Sequence, residues 1–258
     1  MQNRYAGDLG DFFKIALLRL LAKGDPTPLG LVWCLAPDES HNLDGKHITY
    51  LQPEHAIGQR LRALDPQLYD LLATMLRERN RSVRSIEDAG VLPDGTVSFT
   101  EPLALPEWGG CTARERLAHR ENWLRRALAA TKDCGVVCFD PDNGIRSPTH
   151  AVKMHRTSAV KHLYTSELVP FVSRGQSCVV YHHADRSAAV AAQAQSRLQL
   201  LEEEVGGEAV CAVHARRGSA RLFLVLAAMS HVDDLTHRLR ELDASPWRGD
   251  LDVIWRQR

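Results

Sequence analysis

The stretch Val136-Val137-Cys138-Phe139-Asp140-Pro141-Asp142-Asn143-Gly144 decides how this chain is read. Four apolar, mostly β-favouring residues run into an acidic turn of proline, asparagine and glycine, which predicts a buried strand ending at a rigid corner. Open α/β sheets bind their ligands outside the carboxyl ends of the strands. Asp140, Asp142 and Asn143 therefore stand where chemistry is expected. They could accept a hydrogen bond from a substrate amine, or the two carboxylates could hold a divalent cation. A plainer reading is an Asx-Pro turn with Gly144 in a left-handed conformation.

Upstream, residues 9–22 are dense in Phe12, Phe13, Ile15, Leu17, Leu18, Leu20 and Leu21 and predict a largely buried helix. At its start Asp8 and Asp11 share a face, with Lys14 one turn further on. These are site groups, or else a cap and a dipole-matched pair. The apolar run 29–35 suits a central parallel strand. After it come Asp38, Glu39, His41, Asn42, Asp44, Lys46 and His47, groups that suit a cofactor's ribose and amino-acid ends, a metal, or a solvated loop.

Helical periodicity over 55–79 is divided by Pro66. Region 81–110 is less regular, with two short strands expected around 83–86 and 96–99. A helix follows over 112–131, then the strand at 136–139, a loop over 143–160 and a helix over 161–173. The strand at 177–181 is closed by His182 and His183, which alternate faces, so at most one enters a given cleft. They read as structural residues, or as one general base or ligand. A helix over 187–205 precedes two β-favouring runs, 209–215 and 220–228, that form a hairpin. Its turn carries Arg216, Arg217 and Arg221, able to meet nucleic-acid phosphate or serve as an ordinary solvated tip. A helix over 232–242 and a strand over 251–255 complete the pattern. The expectation is a Rossmann-like three-layer α/β/α sandwich, with a mainly parallel sheet and a C-terminal antiparallel hairpin. It forms a single domain over 1–258, with an irregular insertion around 81–110.

Lys plus Arg and Asp plus Glu both total 32 in the 258 residues, so net charge gives no argument for a polyanionic partner. Four of the six cysteines lie in apolar runs, and Cys134 and Cys138 have no second pair to complete a zinc site. Reduced thiols, a cytoplasmic location and no membrane span are expected, and the first residues do not read as a signal peptide.

The order of elements, Gly7-Asp8-Leu9-Gly10-Asp11-Phe12-Phe13-Lys14 and Asp140-Pro141-Asp142-Asn143 together resemble class I S-adenosylmethionine-dependent methyltransferases. Among these the chain is distantly similar to the enzymes that methylate adenine N6 in 23S ribosomal RNA. In them a Gly/Asp/Lys-bearing helix leads, and an Asp-Pro-Pro-Tyr turn closes the fourth strand. The family's glycine-rich cofactor loop is not matched: the first glycine after strand one is Gly45, and Asp142 replaces the second proline. The resemblance implies S-adenosylmethionine as cofactor, held by Asp8, Asp11, Asp38, Glu39 and His41. It implies Asp140, Asp142, Asn143 and Lys14 as catalytic residues, with Lys14 and Arg186 screening negative charge, and a nucleic-acid or small amine acceptor. An alternative on the same scaffold is a phosphodiesterase or nuclease whose Asp8, Asp11, Asp140 and Asp142 bind Mg2+ or Mn2+, with His41 or His182 assisting. A third is a non-catalytic binding module.

Overall fold

Chain order runs α1 (Leu9–Ala22), β1 (Leu29–Val32), α2 (Ala56–Leu64), α3 (Pro66–Arg77), α4 (Val83–Asp88), β2 (Val97–Phe99), α5 (Ala113–Ala130), β3 (Val136–Phe139), β4 (Gly144–Arg146), β5 (His162–Tyr164), α6 (Thr165–Ser173), β6 (Ser177–His183), α7 (Val190–Glu204), β7 (Glu208–Ala215), β8 (Arg221–Ala227), α8 (Val232–Asp243) and β9 (Leu251–Trp255). The computed structural model describes residues 1–257 except 25–26, 40–44, 46, 79–80, 105–106 and 151–152.

Helix starts follow capping chemistry. Asp8 caps α1 by accepting the Asp11 N–H at 3.0 Å. Asp65 caps α3, and Pro66 in its first turn separates it from α2. Thr112 and Glu115 form a reciprocal capping box on α5.

Seven strands form one mixed sheet in the order β2-β1-β3-β6-β8-β7-β9. β2, β1, β3 and β6 are parallel neighbours. β8 runs antiparallel between β6 and β7, and β9 closes the edge antiparallel to β7. Alternate strand residues feed two cores. Leu31, Trp33, Cys138, Val179 and Phe223 pack under α1, α3 and α8. Val32, Phe139, Cys178, Val180 and Leu222 pack under α5, α6 and α7. The fold is thus α/β and compatible with a Rossmann-like layering, as the strand–helix alternation predicts.

Four expected elements differ. Residues 83–86 belong to helix α4, because Ser82 caps it by accepting the Ser85 N–H at 3.0 Å. Residues 162–164 are strand β5, and helix α6 starts only at Thr165, with Pro170 inside it. The expected loop 143–160 begins with strand β4, which pairs with β5. β6 also extends through both histidines.

Parallel pairing puts the carboxyl ends of β1, β3 and β6 on one rim. Val32 lies opposite Phe139, and Phe139 opposite Val180. Antiparallel β8 enters at the same rim, with Arg221 opposite His183.

Candidate functional site

A cavity of about 480 Å³ opens on this rim, on the side of α1. It draws Asp8, Asp11 and Lys14 from α1 and its cap, Glu39 and His47 from beyond β1, Asp140–Asn143 from beyond β3, Tyr181 and His183 from β6, and Arg221 from β8. Stretches far apart in the chain therefore converge as the sequence predicts, around one crevice at the carboxyl ends of the strands.

Lys14 sits at its centre, 3% exposed. Its Nζ donates to Asp11 Oδ1 at 2.6 Å and to Asp140 Oδ2 at 2.7 Å, and lies 4.3 Å from the Trp33 ring centroid. Burial works against the ammonium charge, but Asp11 and Asp140 outweigh it and hold the lysine above its ordinary value. Burial pushes the Asp11 carboxyl up to about 6; Lys14 opposes this, while Asp8 and Asp140 add to it. Asp11 Oδ2 also accepts the Gly7 N–H at 2.8 Å, which ties the carboxylate to the turn before the helix.

Around this clamp, Arg221 Nη2 lies 3.2 Å from Asp8 Oδ2. Gly10 makes that approach possible, since a Cβ there would stand 2.5 Å from Arg221 Nε. Asp142 Oδ2 accepts from Gln2 Nε2 at 2.9 Å, and Lys161 lies 3.9 Å away while pairing with Glu39. The corner itself is fixed by backbone: Asp140 N donates to Val32 O at 3.0 Å and Asn143 N to Lys161 O at 2.8 Å.

The turn after β1 lacks glycine, yet Cys34 takes the left-handed conformation with φ of 47°. This costs an L-residue about 1–2 kcal/mol and marks the backbone beside the cavity as strained. Burial raises the Cys34 thiol to about 12, which makes it inert as a nucleophile at neutral pH.

Other expected residues fall elsewhere. Asp38 is exposed, accepts the Arg4 N–H at 3.3 Å and does not line the cavity. His41, with Asn42, Asp44 and Lys46, lies outside the described residues. Arg186 is exposed and away from the lining. At the hairpin, Arg216 pairs with Asp252 at 3.0 Å and Arg217 with Asp250 at 2.7 Å, so this basic turn is matched by acids rather than free. His182 is buried on the other face of the sheet. Among the described residues no three His, Cys, Asp or Glu side chains gather closely enough to hold a metal ion. Lys14 stands between Asp11 and Asp140, where a shared cation would sit.

Lys161 and Trp33 join the site without a sequence motif of their own, and Tyr181 joins it from the polar stretch 181–186. Lys161 reads as the start of a helix, Trp33 as core or interface and Tyr181 as the last residue of the strand at 177–181. A signal did exist for Tyr181 and Trp33: each lies in an apolar run, 177–181 and 29–35, near the carboxyl rim. No described helix is long and apolar enough to cross a membrane. The chain matches no family model, and no curated protein matches it.

Proposed function

We propose that the protein is a methyltransferase that passes the methyl group of S-adenosylmethionine to a nucleic-acid or small amine acceptor. The observation that carries this reading is the acidity of the rim cavity. Five carboxylates (Asp8, Asp11, Glu39, Asp140 and Asp142) face three side-chain cations (Lys14, Lys161 and Arg221). A net negative lining suits a sulfonium donor, a cation that also carries an amino-acid zwitterion and a ribose diol. Arg221 and Lys14 would take the donor's carboxylate, Asp8 its ammonium and Glu39 its hydroxyls, with Tyr5 and Tyr181 offering ring faces within the same lining. When bound, the donor supplies an electrophilic methyl group. The chain's own task is positioning. Lys14 fixes the Asp140 carboxylate, and exposed Asn143 offers an amide to the acceptor at the cavity mouth. The free thiols fit a reducing, cytoplasmic setting.

The metal-dependent alternative needs Asp8, Asp11, Asp140 and Asp142 around one ion; Lys14 and Arg221 engage three of them instead. Isothermal titration of the full chain with S-adenosylmethionine, S-adenosylhomocysteine, Mg2+ and Mn2+ separates these readings. Saturable binding of the two adenosyl ligands is expected, weakened about tenfold by Asp8→Asn. Absence of adenosyl binding would overturn the proposal, and metal binding in its place would favour the hydrolase.

A further inference from the structure

A second group of polar side chains lies across the sheet from the cavity. Because β6 alternates, Tyr181 and His183 line the cavity while His182 points to the α7 side. The His182 ring fills the space under Gly144, where a Cβ would stand 2.2 Å from Nδ1. Ile145 N–H donates to His182 Nδ1 at 3.2 Å, and Arg197 Nε lies 3.2 Å from His182 Nε2. A neutral imidazole accepts through one nitrogen only. The backbone donor takes Nδ1, so Nε2 carries the proton, and two N–H groups face each other without an acceptor.

Two more polar atoms there are buried and unpartnered: His162 Nδ1, on a residue 4% exposed, and Arg146 Nε. β4–β5 pairing sets His162 opposite Gly144, two residues from Arg146. Arg146 Nη1 turns to the His150 ring at 2.6 Å, and its charge reinforces burial in holding Arg197 below its ordinary value. Among the described residues neither Arg146 nor Arg197 forms an ion pair with a carboxylate, whereas nearby Arg120 is neutralised by Glu167 at 2.5 Å. Asp185, the acid that acts on Arg197, is bonded to Ser187. Two guanidiniums and two imidazoles thus lie close enough to act on one another, with no carboxylate in ion-pair contact with either guanidinium among the described residues. A tetrahedral oxyanion supplies several acceptors at once and matches the guanidinium fork.

We propose that Arg146, His162, His182 and Arg197 form a binding site for an oxyanion of the phosphate class at the junction of β4, β6 and α7. The oxyanion is free phosphate or a phosphodiester of nucleic acid. β4 continues directly from the Asp140–Asn143 corner, so the site is joined to the cavity along the chain. The site does not depend on the methyl-transfer reading, and its test uses no methyl donor.

The full chain is titrated with inorganic phosphate at constant ionic strength while the imidazole ring signals of His162 and His182 are followed by NMR. In parallel, a short RNA oligonucleotide is titrated calorimetrically. Saturable shifts of both rings are expected, with phosphate affinity reduced about tenfold by Arg146→Gln and by Arg197→Gln, and unchanged by Arg62→Gln on distant α2. RNA binding at least tenfold tighter than phosphate, with the same residue dependence, assigns the phosphodiester; RNA no tighter than phosphate assigns the free ion. Ring signals that phosphate leaves unmoved in the wild-type chain, or binding that both arginine substitutions leave intact, would overturn the site.

Discussion

Placed within 2.7 Å of both Asp11 and Asp140, Lys14 is the ion-pair partner of two buried carboxylates. Removing one member of such a cluster leaves uncompensated charge in a poorly solvated place. Lys14→Met is expected to cost about 3–5 kcal/mol in urea unfolding, and Lys14→Met/Asp140→Asn less than the sum of the single changes. Additive, sub-kilocalorie effects would show that the clamp is incidental. Two further residues report through pH. Burial, then Arg146 for His162 and Arg197 for His182, holds each imidazole down to about 3, against an ordinary value of 6.5. Both stay neutral in the folded chain but take up protons on unfolding. Their contribution is therefore present above pH 6.5 and lost as pH falls toward 3. Asp11 acts in the opposite sense, because its raised carboxyl favours the folded state as pH falls through about 6. Two histidines outnumber it. The thermal midpoint should be lower at pH 5 than at pH 7, and the gap should shrink in His182→Asn; a flat profile would contradict the burial of both rings.

Local chemistry set many of the elements, and where it did, the sequence was readable. The span of α1 is visible in its Asp8 cap and apolar run, and Pro66 divides α2 from α3 as expected. The capping box on α5 belongs to the same class. Thr112→Ala should lower stability by about 1 kcal/mol, read as a drop in midpoint of a few degrees, and Thr112→Ser should restore it. Loss of nothing on Thr112→Ala would mean the box is frayed in solution. Of the misread elements, α4 was missed although its cap is local, whereas β4 and β5 depend on partners outside their own residues. Val83 and Ile86 look β-favouring, but Ser82 starts a helix there. β4 and β5 exist because they pair with each other, and no pattern within three residues shows that. The same limit hid part of the site. Asp8, Asp11, Lys14 and the Asp140–Asn143 corner stood out as dense polar groups beside apolar runs. Lys161 and the Arg146–Arg197 group become visible only when β5 and α7 are folded against β4 and β6.

For the molecule as a whole, the zero formal charge conceals a division across the sheet. The α1 side of the rim holds the acid-rich cavity, while the α7 side holds Arg146, Arg197, His162 and His182, none of which pairs with a carboxylate among the described residues. Antiparallel β8 beside β6 brings Arg221 to the rim, and so closes a crevice that parallel strands alone would leave open on that side. Hydrogen–deuterium exchange of the full chain with and without S-adenosylhomocysteine tests the convergence on one donor cavity most directly. Slowed exchange is predicted together in residues 7–14, 139–145 and 219–222, with helices α2 and α5 unchanged; protection confined to other segments, or none at saturating ligand, would contradict the account.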